Sequence, residues 1–375
     1  MTSWAPRHLL VISLEPLDAS TELFFGHLAQ RLPETVRVIR YGHPDLAAAM
    51  AGASVVVLVR GLFEFGSIIP AARALGIPLY YFIDDNFMLL REQPGVWSAL
   101  IERYSIESVR DRLGAFRGVM LSSVALIEYF GRERLHDRLV FFPPIEWRQV
   151  LSPSPTREGV SIAFVGGRHL HDILLSCVVP AVRRLATEQP VTLIAAGVDQ
   201  PIAPSPGLTV VYLPYDLSYV RALRRLAGAG VDVLVHPSAA GLRNNSYKNP
   251  HALISAHALG AVPIVSDRPP YDALRSADVT FLCSDSVESW YSALVQAIQP
   301  EHRSRIHQRL SAFCASHFGG SLNRQVVEEL LREHNSPDPR WAFARRGFIR
   351  ARMLVGRAAV GVSRRILPRA RIGGV

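Results

Sequence analysis

Of the 41 basic residues in this chain, 40 are arginine and one, Lys248, is lysine. Arginine serves nearly everywhere a cation is needed, so the retained ammonium either marks a place suited to a compact point charge or survives by chance as a solvated lysine before an ordinary capped helix. Lys248 sits in a polar stretch between a strand-like run at 231–236 and a helix-period run at 250–259. Asn249 followed by Pro250 reads as a helix N-cap with proline at the first helical position. A helix opening there directs free amides, with His251 among the first, and its positive dipole end toward the Lys248 charge, a natural cradle for a diphosphate. Upstream, the run SIAFV ends in Gly166-Gly167-Arg168-His169. Paired glycines let the backbone approach an anion closely, and Arg168 adds a second cation; the plainer alternative is a tight turn after the strand.

A second group of candidates is acidic. Asp84 and Asp85 follow the apolar run 78–83, where a carboxylate can orient or partly deprotonate an acceptor hydroxyl. The plainer alternative is a capping aspartate or a solvated turn. Arg60 and Gly61 close the run 54–60 on the same side and make a candidate acceptor-phosphate site. Tyr212 and Tyr215 flank Leu213-Pro214 at the end of another strand, where an aromatic ring can edge a nucleobase. His169, His171 and Asp172 have zinc-ligand chemistry, yet no second cluster supplies the remaining ligands, so no metal and no resident cofactor are expected. The chain lacks G-x-G-x-x-G, the Walker pattern and G-x-S-x-G, which argues against dinucleotide, P-loop and serine-hydrolase chemistry.

The elements that must position these residues alternate from end to end. Strands are expected at 8–14, 36–41, 54–60, 78–83, 118–122 and 139–142, with helices near 20–31, 66–75, 96–113 and 123–131. Past a Pro/Ser-rich linker at 146–159 the alternation restarts, with strands at 160–165, 191–196, 208–213, 231–236, 262–266 and 278–282. Helices at 172–188, 216–228, 250–259 and 286–298 separate them. Such alternation predicts parallel α/β units, here two tandem Rossmann-like doubly wound sheets. The domains are read as 1–145 for an acceptor, 160–317 for a donor, and 318–339 as a closing helix of the second.

The charge is unevenly placed. Residues 340–375 hold ten arginines and no acid, leaving 31 basic against 32 acidic residues in 1–339. Trp341, Phe348, Val355 and Val362 recur along one stripe of a helical wheel, with Arg350, Arg357 and Arg364 roughly opposite. The tail reads as a basic amphipathic helix suited to an anionic membrane surface, with packing on the protein's own body as the alternative. The neutral body argues against nucleic acid as a partner. An apolar run of six residues, 9–14, is too short for a signal-peptide core, and no segment reaches membrane-spanning length. Three scattered cysteines fit a reducing compartment. A cytoplasmic protein peripheral to the inner membrane face is expected.

FVGGR (164–168), the loop with Lys248, the helix ending His257-Ala-Leu-Gly260 and the strand VPIVSD before Pro269-Pro270-Tyr271 together resemble the donor domain of family 4-like GT-B glycosyltransferases. The acidic pair after PLYYFI resembles some bacterial members. The likeness implies transfer of a glycosyl group from a nucleotide-diphospho-sugar to a glycan or lipid-linked acceptor, usually without a metal. It assigns the donor diphosphate to Arg168, Lys248 and the backbone near Asn249 and His251. Gly166, Gly167, His169, Tyr215 and Ser255 complete the expected donor site, and Asp84 and Asp85 the acceptor side. Many members carry two glutamates eight residues apart, and Tyr247 and Ser255 stand at those places here. Their absence keeps a non-catalytic sugar-nucleotide-binding scaffold in view, with an epimerase on the same fold as a weaker option. Retention and inversion are both compatible with these residues.

Overall fold

The computed structural model describes residues 8–14, 18–92, 103–146, 159–167, 170–334 and, in the tail, 346, 348 and 349. The chain forms two compact units, one of 1–145 with 320–375 and one of 146–319.

In the first unit the strands are β1 (Leu9–Ser13), β2 (Val36–Arg40), β3 (Val55–Val59), β4 (Leu79–Ile83), β5 (Gly118–Leu121) and β6 (Leu139–Phe141). They form one sheet in the order β2-β1-β3-β4-β5-β6, every pairing parallel. β1, β3, β4 and β5 are buried along their whole length, as a sheet covered on both faces requires. Phe82 on β4 packs against Phe24 and Phe25 at ring-centroid distances of 4.7 and 5.0 Å, and Phe25 stacks on Phe142 at 4.9 Å. Serine side chains start two flanking helices by accepting a backbone amide three residues on: Ser105 caps Ile106–Leu113 and Ser123 caps Val124–Arg132.

The second unit holds β7 (Val160–Val165), β8 (Val191–Ala196), β9 (Leu208–Leu213), β10 (Val233–His236), β11 (Val262–Ser266) and β12 (Phe281–Cys283). Their order is β12-β11-β10-β7-β8-β9, again all parallel. Inward residues such as Ile162, Phe164, Leu193, Val235 and Ile264 meet the apolar faces of Val179–Ala186 and Val287–Ala297, where Trp290 is fully buried.

Both sheets reverse direction at an interior point: after β2 the chain crosses back to the other side of β1, and after β9 to the other side of β7. Ligands of open parallel sheets bind at the carboxyl ends of the strands flanking such a switch. In the first unit those strands are β1 and β3, and in the second β7 and β10.

Several expectations change. The helix Ser321–Glu333 belongs to the first unit rather than closing the second. Its Asn323 donates to the Pro143 carbonyl at 2.8 Å, Glu333 pairs with Arg138 at 2.7 Å, and His334 beyond it meets the Tyr80 hydroxyl at 3.1 Å. The strand expected at 278–282 starts later, because Asp278 adopts a left-handed turn (φ 49°) that binds Arg309. The helix expected at 96–113 is described from Ile106 onward. Linker residues 147–158 lie outside the described residues, as does the tail apart from Arg346, Phe348 and Ile349, which are helical. Among the described residues no helix is long and apolar enough to cross a membrane.

Candidate functional site

At the second unit's switch point the stretch after β7 and the loop after β10 leave the carboxyl ends of neighbouring strands. β7 runs into Gly166-Gly167, and a Cβ on Gly166 would lie 2.5 Å from Leu170 Cδ1 and 2.9 Å from the Phe164 ring. A side chain there would have to push Leu170 and Phe164 aside. Arg168 and His169 lie outside the described residues. His171 is buried with its ring 6.0 Å from Phe164, and its Nε2 has no hydrogen-bond partner among the described residues.

Across the switch, β10 ends at His236 and leads into a loop built on buried hydrogen bonds. The Ser238 amide donates to Ser266 Oγ at 2.8 Å, and Asn245 Nδ2 donates to Ser238 Oγ at 2.7 Å. Arg268 clamps the Ser238 carbonyl at 2.8 Å while pairing with Asp285 at 2.7 Å. A short 3-10 turn, Arg243–Tyr247, then delivers Lys248, whose amide donates to the Asn245 carbonyl at 3.2 Å. Asn245 thus links the buried network to the lysine backbone. Replacing Asn245 by Ala should cost about 1–3 kcal/mol by leaving Ser238 without its donor. Urea unfolding checks the stability loss, and a several-fold weaker nucleotide affinity should accompany it. Sequence reasoning passed over this network, since serines and asparagines in a polar loop look alike whether buried or solvated.

The helix after Lys248 differs from its expected form. It runs His251–Leu259 with Pro250, not Asn249, at the capping position. Asn249 acts through its carbonyl, which accepts the His251 amide at 2.8 Å, and the Pro250 carbonyl accepts the Leu253 amide at 3.0 Å. Two amides expected for an anion are therefore already occupied, and the helix contributes mainly its dipole field. Ser255 donates to the His251 carbonyl at 3.1 Å and meets the buried Tyr219 hydroxyl at 3.1 Å. Burial raises the Tyr219 pKa against the opposing effect of the Ser255 bond. Ser255 thus bridges two helices. The His251 ring lies 5.0 Å from that of His236, beside Tyr271.

Beyond β9, Tyr215 is 65% exposed, whereas Tyr212 is held by Ile202, whose amide donates to its hydroxyl at 2.5 Å. Val165, Ala196 and Tyr215 help line a cavity of about 20 Å³. That volume suits a single water, so Tyr215 offers an open ring face rather than a slot. Asp216 next to it accepts from the Ser218 amide and from Arg221, and Arg221 holds its carboxyl below the usual range.

In the first unit, Arg60 and Gly61 turn sharply after β3 with φ of 56° and 49°. A left-handed arginine costs roughly 1–2 kcal/mol, which its side-chain contacts must offset. The guanidinium donates to Ser20 Oγ at 2.8 Å and Asp85 Oδ2 at 3.1 Å, lies 3.6 Å from Asp84 Oδ1, and rests 5.2 Å from the Phe87 centroid. Ser20 in turn donates to Asp84 Oδ2 at 2.6 Å. Burial pushes the Asp84 pKa up, opposed by Arg60 and reinforced by Asp85. Burial works against the Arg60 charge, yet the two carboxylates outweigh it and hold the guanidinium protonated. One cation facing two carboxylates leaves excess negative charge, so the acceptor-phosphate role expected for Arg60 and Gly61 does not fit. The aspartates' side chains retain 16% and 17% exposure, with Asp84 Oδ1 itself buried.

No known family model matches the chain, and no curated protein matches its sequence. Solved structures do resemble it. An alpha-glucosyltransferase in complex with UDP-glucose and DNA containing an abasic site shares 8% identity at a TM-score of 0.58, over 87% of this chain and 99% of that one. Anabaena HepE in complex with UDP-glucose shares 14% at 0.58, over 86% and 99%. WaaG, a glycosyltransferase involved in lipopolysaccharide biosynthesis, shares 12% at 0.54, over 86% and 99%. At these identities the likeness establishes the fold: this chain has a GT-B-type α/β fold of two Rossmann-like units.

Proposed function

We propose that the protein is a glycosyltransferase that takes a nucleotide-diphospho-sugar on its second unit and transfers the sugar to a hydroxyl acceptor bound at Asp84 and Asp85 of the first. What supports this reading is the second unit's switch point, where Gly166-Gly167 follows β7 and the braced loop carrying the chain's single lysine follows the neighbouring strand β10. In the reaction the Lys248 ammonium would stabilise charge building on the leaving diphosphate, which does most when arranged beforehand. Asp84, with its raised proton affinity, would accept a hydrogen bond and then a proton from the attacking hydroxyl. The fold likeness to proteins solved with UDP-glucose supports the donor class. The arginine-rich stretch 340–375 supports a membrane-proximal glycan or lipid-linked acceptor on the cytoplasmic side.

A donor panel tests it. UDP-, GDP- and dTDP-sugars are screened for a thermal shift, then for nucleotide release with and without cell-envelope extract. One donor class should stabilise the protein, and release should rise with extract without added magnesium or manganese. Binding without release in any extract would favour the scaffold reading, which Tyr247 and Ser255 at the glutamate positions motivate. Stabilisation by none of the donors would refute both.

A further inference from the structure

Away from the Lys248 end of the helix His251–Leu259, three side chains with different ligand chemistry converge inside the second unit. Glu146 is its first residue, His257 lies in the last turn of that helix, and Cys314 lies in the last long helix, Pro300–Phe318. One carboxylate oxygen, one imidazole nitrogen and the thiol sulfur lie within 4.8 Å of one another. Glu146 is 1% exposed and Cys314 is fully buried. His257 Nδ1 and Glu146 Oε2 are 3.7 Å apart, too far for a hydrogen bond with each other. Two donors of one tetrahedral zinc, at about 2.0–2.3 Å from the metal, are separated by roughly 3.3–3.8 Å.

We propose that Glu146, His257 and Cys314 form a three-ligand zinc site, its fourth position open to water, that ties the entry of the second unit to its last long helix. Nitrogen and sulfur donors select zinc over magnesium or calcium, which take oxygen. The charges balance: a zinc dication with one carboxylate and one thiolate is neutral, which suits an interior where an unbalanced charge is costly. Metal binding forms the zinc–sulfur bond, breaks the S–H bond and releases that proton to solvent. Among the described residues three ligands are in reach, and water completes the tetrahedron. His257 is six residues past His251, roughly 9 Å along the helix axis, so the metal stands apart from the diphosphate chemistry. The backbone already closes the same junction, the Glu146 amide donating to the Phe318 carbonyl at 2.8 Å. Sequence spacing concealed the site because its ligands come from three distant stretches.

The test uses untagged, full-length protein saturated with zinc, freed of loose metal and analysed by elemental mass spectrometry. About one zinc per chain is expected, and stripping it should lower the melting temperature by about 5 °C, with zinc restoring it. Cobalt in its place should give the near-ultraviolet thiolate-to-cobalt band. Cys314→Ser should lose the band and His257→Gln most of the metal, while both retain nucleotide binding. If Cys314→Ser fails to fold, the wild-type cobalt spectrum decides. A wild-type chain holding less than about a tenth of an equivalent, or one binding cobalt without the thiolate band, would overturn the proposal.

Discussion

Asp84→Asn is expected to lower glycosyl transfer by roughly 10²–10⁴-fold while leaving donor affinity unchanged. Asparagine keeps the shape and an acceptor for the Ser20 hydroxyl, which now donates to Asp84 at 2.6 Å, and Arg60 keeps Asp85. What is lost is a group able to take a proton. Burial and then Asp85 raise the proton affinity of Asp84 over the opposing pull of Arg60, so its base form is lost at a higher pH than for a free aspartate. Transfer in the wild type should therefore rise with pH through that raised pKa and fall below it. The variant's remaining activity should lack this acid limb. Rate–pH profiles of both proteins check it, with donor binding measured in parallel. A variant as active as the wild type with the same profile would remove Asp84 from the reaction.

Lys248→Ala is expected to weaken binding of the stabilising nucleotide-sugar by about 10–100-fold, the worth of a charge-assisted contact of 1.5–3 kcal/mol. Stability should change little, because the loop is braced by Asn245, Ser238, Ser266 and Arg268. The two amides already used at the start of His251–Leu259 make the dependence on Lys248 larger, since the helix has fewer direct donors to substitute for it. Lys248→Arg should recover part of the affinity by charge, short of full recovery because the guanidinium fork is longer and planar. Titration calorimetry of the three proteins measures this.

The strands were legible in the sequence because parallel sheets buried on both faces require short continuous apolar runs, as in VVVLV of β3 and LYYFI of β4. The same logic placed Asp84 and Gly166 directly after the carboxyl ends of strands, with Lys248 farther along the loop after β10. Side-chain commitments were not legible. Arg60 as a partner of Asp84 and Asp85 depends on a left-handed turn that nothing in its residue type announces. Ser255 turning to Tyr219, and Asn245 reaching Ser238, join residues on separate elements. The helix Ser321–Glu333 showed its period but not its destination, which Asn323 and Glu333 settle through bonds to Pro143 and Arg138. Periodicity fixes which face of a helix is apolar and leaves open which core receives it.

Amide hydrogen exchange of the full chain with and without the donor that stabilises it most tests the central claim, that a nucleoside diphosphate sits at the second unit's switch point. The account predicts protection concentrated in 164–167 and 237–251, and its loss in Lys248→Ala. Protection confined to other strands' ends, or none with any UDP-, GDP- or dTDP-sugar, would contradict it.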